Sequence, residues 1–162
     1  MGDRLATEKQ ETDARWPDLS GRIEGERHIL PVRVYFEDTD FSGLVYHVSY
    51  LRWCERGRSD FLRLLGVSHA DLIAPAEDAE PAAFVVRRLE IDYLRPARID
   101  DVLEVATVCA EIGGAHILLN QEITRNGTRL CKLLVKVVLI GRSGKPMRLP
   151  AAARHAFASL NR

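Results

Sequence analysis

The sequence favours neither sign of charge: 23 Lys and Arg balance 23 Asp and Glu, leaving a formal net charge of zero with His neutral. A chain with no basic excess has no global pull on nucleic acid or an anionic membrane, so any anionic ligand needs a local basic patch. Long apolar runs are also missing. Residues 1–30 hold no stretch resembling a secretory signal, and no later segment reaches membrane-spanning length, so no membrane insertion is expected. Cysteine is scarce. Cys54, Cys109 and Cys131 lie far apart in apolar runs and form neither a redox pair nor a metal-ligand spacing. Three structural thiols in a reducing, cytoplasmic setting are the expectation. There is no G-x-x-x-x-G-K-[ST] phosphate loop, no H-E-x-x-H or paired Cys/His set, and no G-x-S-x-G elbow. Those absences set aside P-loop chemistry, a zinc site and an elbow-type serine hydrolase; no metal and no cofactor are expected.

What is present suits one globular domain. At 162 residues and 46% hydrophobic content the chain can bury a sizeable core. Residues 1–27 mix charges with little periodicity and read as a poorly ordered extension, with Trp16 docking on the surface. From His28 to Glu37 the alternation predicts a strand, which the turn formers of DTDFSGL end. From about His47 apolar residues recur at helical steps (Tyr50, Leu51, Cys54, Phe61, Leu62, Leu65), predicting an amphipathic helix that Gly66 ends. Gly57 falls on the apolar stripe, where glycine costs about 1 kcal/mol against Ala. Close approach of the helix to a sheet would offset that cost. A short helix is expected near His69, then strands Ala82–Tyr93, Val102–Ile112, Ala115–Arg125 and Thr128–Ile140, and a last helix Ala151–Leu160. Gly113-Gly114 and Asn126-Gly127 are hairpin dipeptides, so the last three strands should form a meander. The class is α+β, one long helix against a curved antiparallel sheet. One helix leaves apolar surface and a strand edge uncovered, which points to dimerisation.

The segment RVYFEDTDFSGLVYHVSYLRWCERGRSDFLRLLG, Arg33 to Gly66, resembles the opening of the hot-dog-fold acyl-CoA thioesterases. It is nearest to the 4-hydroxybenzoyl-CoA thioesterase family and its YbgC-like branch, the type associated with the Tol–Pal system. The likeness continues through FVVRRLEIDYLRPARIDDVLEV and GKPMRLP, and so covers residues 28–162. It implies a long central helix wrapped by a five-stranded antiparallel sheet, protomers joined into a homodimer or homotetramer, and an active site between protomers. It further implies an acyl-CoA substrate, most simply a short-chain aliphatic one. An aromatic, hydroxybenzoyl-type CoA is the alternative, and acyl carrier protein is a second carrier. A non-catalytic module binding acyl-CoA or acyl carrier protein is the non-enzymatic alternative.

By the same resemblance Asp40, which closes the D-x-D of the first turn, is the catalytic carboxylate, as nucleophile or as general base. Asp38 has the same turn chemistry and no such match, so a structural role is expected of it. The family's oxyanion-donor position falls on His47, at the helix start, where backbone N–H groups lack intrahelical partners and the dipole is positive. The imidazole of His47 either orients water or the carboxylate, or plays no part beside its backbone. Phe36, Gly43, Val45 and Tyr46 are the expected substrate contacts, Gly43 by letting the loop pass close. The YbgC-like branch commonly has Tyr where this chain has Phe36. Glu55, two turns along the helix, is expected to pair with an arginine such as Arg58.

Overall fold

The computed structural model describes residues 16–75 and 79–160. The expectation for residues 1–15 lies outside them. Two short strands, β1 (Arg22–Glu24) and β2 (Arg27–Arg33), lead through a 3-10 turn (Phe36–Asp38) to the long helix α1 (His47–Leu64). A one-turn helix α2 (His69–Ile73) follows, then β3 (Ala82–Tyr93), β4 (Val102–Ile112), β5 (His116–Arg125), β6 (Thr128–Gly141) and helix α3 (Ala151–Leu160). All strand pairings are antiparallel in one sheet of order β1-β2-β4-β5-β6-β3.

Local sequence explains most of this. Asn126 and Gly127 both take positive φ (49° and 76°), the left-handed pair that a tight β5–β6 hairpin requires. The inward residues of β6, Leu133, Val135, Val137 and Leu139, alternate with less buried ones and meet Leu103 and Val105 of β4 in the core. Helix α1 buries Tyr50, Trp53, Cys54, Phe61 and Leu62 on the same core. Each such side chain contributes about 1.5–3 kcal/mol by leaving water, so the set far outweighs the penalty at Gly57. A Cβ on Gly57 would lie 3.1 Å from Val105 Cγ1 and 3.2 Å from Thr107 Oγ1. The glycine lets the helix backbone rest on β4, as its place on the stripe suggests. Gly66, at φ 80°, closes α1: its N–H donates to the Arg63 carbonyl and that of Val67 to the Leu62 carbonyl.

Three expectations need correction. The sheet has six strands in place of five, because β1 pairs with β2 (Arg22 opposite Ile29) inside the stretch read as disordered. The strand escapes a reading based on hydrophobic periodicity because it has three residues with only Ile23 half-buried. What fixes it lies elsewhere: Gly21 takes φ 69°, where a Cβ would collide with the Ile29 carbonyl, and buried His28 holds the Ser20 carbonyl through Nε2 at 2.7 Å. Trp16 does not dock; it is 64% exposed. The first long strand stops at Arg33 and does not reach Glu37, since Asp38 accepts a hydrogen bond from the Tyr35 N–H and curls the chain into the 3-10 turn.

Candidate active site

Between the 3-10 turn and α1 the loop is short and pinned on both sides. Thr39 bridges Val45, Leu44 bridges Arg98, and Val45 N–H donates to the Ala97 carbonyl. Ala97 N–H in turn donates to the Tyr50 hydroxyl at 2.9 Å, tying the loop's support to the helix. Within the loop the Asp40 N–H donates to the Leu44 carbonyl and Gly43 N–H to the Asp40 carbonyl, with Gly43 at φ 76°, a turn that glycine makes without strain.

The carboxylate of Asp40 is solvent-exposed and accepts two hydrogen bonds from Ser42, from its hydroxyl at 2.5 Å and its N–H at 2.8 Å. The Ser42 hydroxyl, then its N–H, and less strongly the nearby His47, hold the Asp40 carboxyl below its ordinary pKa. The group is therefore an anion throughout the neutral range. Asp38 does the structural work expected of it: its carboxylate caps the 3-10 turn, and its carbonyl accepts from Tyr46 N–H and the Ser49 hydroxyl.

Helix α1 begins directly beside this loop. Tyr46 is its N-cap in extended geometry, with its own N–H bonded to Asp38, while Ser49 N–H donates to the Tyr46 carbonyl. Among the described residues neither the His47 N–H nor the Val48 N–H meets an acceptor. Two donors thus stand free at the positive end of an 18-residue helix. The Tyr93 hydroxyl, from the end of β3, donates to the His47 carbonyl at 2.9 Å, and its ring meets the His47 and Tyr50 rings edge-on.

Of the residues expected to touch substrate, Phe36 and Gly43 line one shallow cavity of about 470 Å³ with Asp40, Phe41 and Ile99. Phe36 is 82% exposed and Phe41 is fully exposed. Tyr46 is exposed at the helix start, against the His47 ring. Val45 differs: at 7% exposure its side chain belongs to the core, so it offers this surface only backbone. Phe41, Ile99 and Tyr93 were not singled out from sequence. Tyr93 lies 46 residues from His47, and no local pattern signals that contact.

Glu55 does not form the expected ion pair with Arg58. Among the described residues Arg58 has no carboxylate within salt-bridge distance; its Nη1 donates to Gln121 Oε1 at 2.9 Å. Of the basic residues on strands and turns, Arg88, Arg129 and Lys132 are paired with Glu90, Glu122 and Asp92. Among the described residues Arg98 shows no such pair, and it sits beside the Asp40 loop through its bridge to Leu44.

Residues 42–132 match the Thioesterase superfamily. The chain belongs to that superfamily, has its hot-dog fold, and is a thioester hydrolase. It is 42% identical over 129 residues to the acyl-CoA thioesterase YbgC of Haemophilus influenzae, a match spanning 79% of this chain and 92% of that protein. A probable thioesterase from Bartonella henselae shares 44% identity at TM-score 0.73, covering 76% of this chain and all but 1% of the other (99%). A Thermus thermophilus thioesterase solved with coenzyme A and zinc shares 30% identity at TM-score 0.66, over 85% and 96% of the two chains.

Proposed function

We propose that this hydrolase cleaves acyl-CoA, with short-chain aliphatic acyl groups as substrates, and that Asp40 supplies the carboxylate. The observation that carries the reading is the juxtaposition of an ionised, exposed Asp40 with the free N–H groups of His47 and Val48 in a loop too pinned to drift. A thioester carbonyl seated on those two N–H groups gains stabilisation as negative charge develops on its oxygen. One well-aimed donor of this kind is worth about 3–4 kcal/mol. Asp40 then either attacks the carbonyl carbon, expelling the thiolate and forming an anhydride that water opens, or takes a proton from water as the water attacks. In both routes the thiolate leaves readily, so no strong acid is needed opposite Asp40.

Tyr93 supports the same geometry from behind. Its hydroxyl fixes the His47 carbonyl, and a carbonyl that accepts a hydrogen bond polarises the next N–H along the peptide, that of Val48. Arg98, bridged to Leu44 of the Asp40 loop, is the cation we assign to a phosphate of coenzyme A. A second reading, aromatic acyl-CoA, is favoured by the exposed rings of Phe36 and Phe41 on the same cavity as Asp40. Pairing of two copies along β3 is the assembly proposed here, since β3 pairs only with β6 among the described residues and leaves a 12-residue edge bare. Three free thiols agree with a reducing, cytoplasmic location.

The test is release of thiol from acyl-CoAs of two to sixteen carbons and from benzoyl-CoA, by wild type and Asp40→Asn. Faster turnover of the short aliphatic thioesters, lost in Asp40→Asn, is expected. Equal release by both proteins sinks the assignment of Asp40; no release from any thioester favours a binding module.

A further inference from the structure

The turn between β3 and β4, residues 94–101, carries the Ala97 carbonyl and the Arg98 bridge that hold the Asp40 loop. The fold fixes both ends of this turn. At its start the Leu94 and Arg95 N–H groups donate to the Leu130 carbonyl of β6. At its finish the Val34 N–H donates to the Asp101 carbonyl, and the Val34 carbonyl accepts from the Asp100 N–H. Asp100 takes φ 68°, a left-handed conformation that a residue with a Cβ keeps only where its surroundings impose it.

At the tip of the turn the Asp101 carboxylate makes two contacts. Its Oδ2 accepts from the Arg98 N–H at 2.8 Å, which closes the turn on itself, and from Arg125 Nη1 at 2.5 Å. The first contact is local. The second comes from the last residue of β5, 24 residues beyond Asp101, and grips the tip from outside. Partial burial pushes the Asp101 carboxyl up, but the Arg98 N–H and then the Arg125 guanidinium more than offset this and hold it below its ordinary pKa. From Arg125 to the reacting loop each step is one contact: Arg125 to Asp101, Asp101 to Arg98, Arg98 to Leu44, and the Leu44 carbonyl to the Asp40 N–H. Arg125 does not line the cavity at Asp40, whereas Ile99, on the same tip, does.

We propose that Arg125 is a positioning residue for thioester hydrolysis: through Asp101 it sets where the Asp40 carboxylate stands relative to the His47 and Val48 N–H groups. The proposal rests on the reading of Asp40 as the working carboxylate. Two observations favour positioning over bulk stability. The side chains of Arg125 and Asp101 are 34% and 21% exposed, and ion pairs this open to water add little to global stability. The contact is also concentrated, because among the described residues it is the one side-chain tie between residues 98–101 and another element. A shift of about 1 Å in a reacting group costs about 10²-fold in rate. A contact that fixes geometry therefore shows in kcat before it shows in melting.

The experiment is a double-mutant cycle on thiol release from a short-chain acyl-CoA, made in the full chain with Arg125→Gln, Asp40→Asn and both together. Arg125→Gln should lower kcat by about 10-fold, and Arg125→Lys, which keeps the charge, should recover most of that loss. In the Asp40→Asn background Arg125→Gln should cost nothing further, because the two residues act as one unit. Amide hydrogen exchange gives a readout without turnover. In Arg125→Gln the Asp40 and Val45 N–H groups should exchange about 10-fold faster, and those of β6 at the wild-type rate. Unchanged kcat in Arg125→Gln overturns the proposal. An equal drop in both backgrounds, or faster exchange throughout the sheet, overturns it too and leaves Asp40 its role. Wild-type release by Asp40→Asn overturns the reading of Asp40, and the positioning role of Arg125 with it.

Discussion

The two ends of α1 treat charge in opposite ways. At the N-terminus Asp40 stands in solvent, and its ionised form is favoured by hydrogen bonds from a single neighbouring residue, Ser42. Three turns along, Arg58 lies in the core and is oriented by an amide anchored on β5 and on the helix backbone. The first arrangement is local and exposed, so changing it should alter chemistry and spare the fold. The second is long-range and buried, and it ties the helix to β4 and β5. Replacing residues at each end separates the two behaviours.

Asp40→Asn gives the largest expected effect, a fall in kcat of about 10²–10⁴-fold, with the melting temperature unmoved. A drop in melting temperature alongside would break the contrast, by showing that the loop is structural. Tyr93→Phe tests the support of the first turn. Losing one hydrogen bond of about 1 kcal/mol should lower kcat by about 5-fold, and KM should stay close to wild type if the hydroxyl acts in the transition state. Gly57→Ala tests the packed side. Better helix propensity returns about 1 kcal/mol, but the new methyl presses on Val105 and on Thr107, which is held by Gln121. Net destabilisation of about 1 kcal/mol is expected, seen as a melting temperature lower by about 2–4 °C.

A pH series sharpens the contrast further. Burial holds the His28 pKa below 6.5, and burial does the same to His69. As pH falls the unfolded chain takes up these protons first. Their contribution to stability is therefore complete above about 6.5 and is lost as pH drops toward the folded pKa values. Melting temperature should decline between pH 7 and 5, and His28→Gln should flatten that decline. The smallest effect belongs to Ser42→Ala. Without the hydroxyl the Asp40 pKa rises toward its ordinary value of about 3.9, and the acid limb of kcat/KM should move up with it.

Much of the fold was legible because its signals are local. Asn126-Gly127 announced a hairpin, Gly66 the end of a helix, and Gly57 on an apolar stripe a close approach to the sheet. Periodicity found every strand long enough to have a period. It missed β1, which has three residues and is held by Gly21 and His28, not by an apolar face. The Asp40 loop was recognisable as a motif, since its residues are contiguous. Tyr93, the Arg58–Gln121 pairing and the Ile99 wall were not, because each depends on a contact that chain order does not encode. Glu55 shows the same limit in reverse: three residues from Arg58 it looked like a helix ion pair, yet the guanidinium turns to the sheet.

The two margins of the sheet are unequal. One ends in β1, three residues long with Arg22 and Glu24 outward; the other ends in β3, twelve residues long. A stubby, charged margin gives an incoming strand almost nothing to zip against, whereas the long one invites a twin. A protein adhesive along one side alone reaches saturation at two copies, because joining consumes the sole attractive border of each. With two copies joined along β3 as proposed, the short clasp at residues 22–24 would leave the joint sheet no second long border to extend.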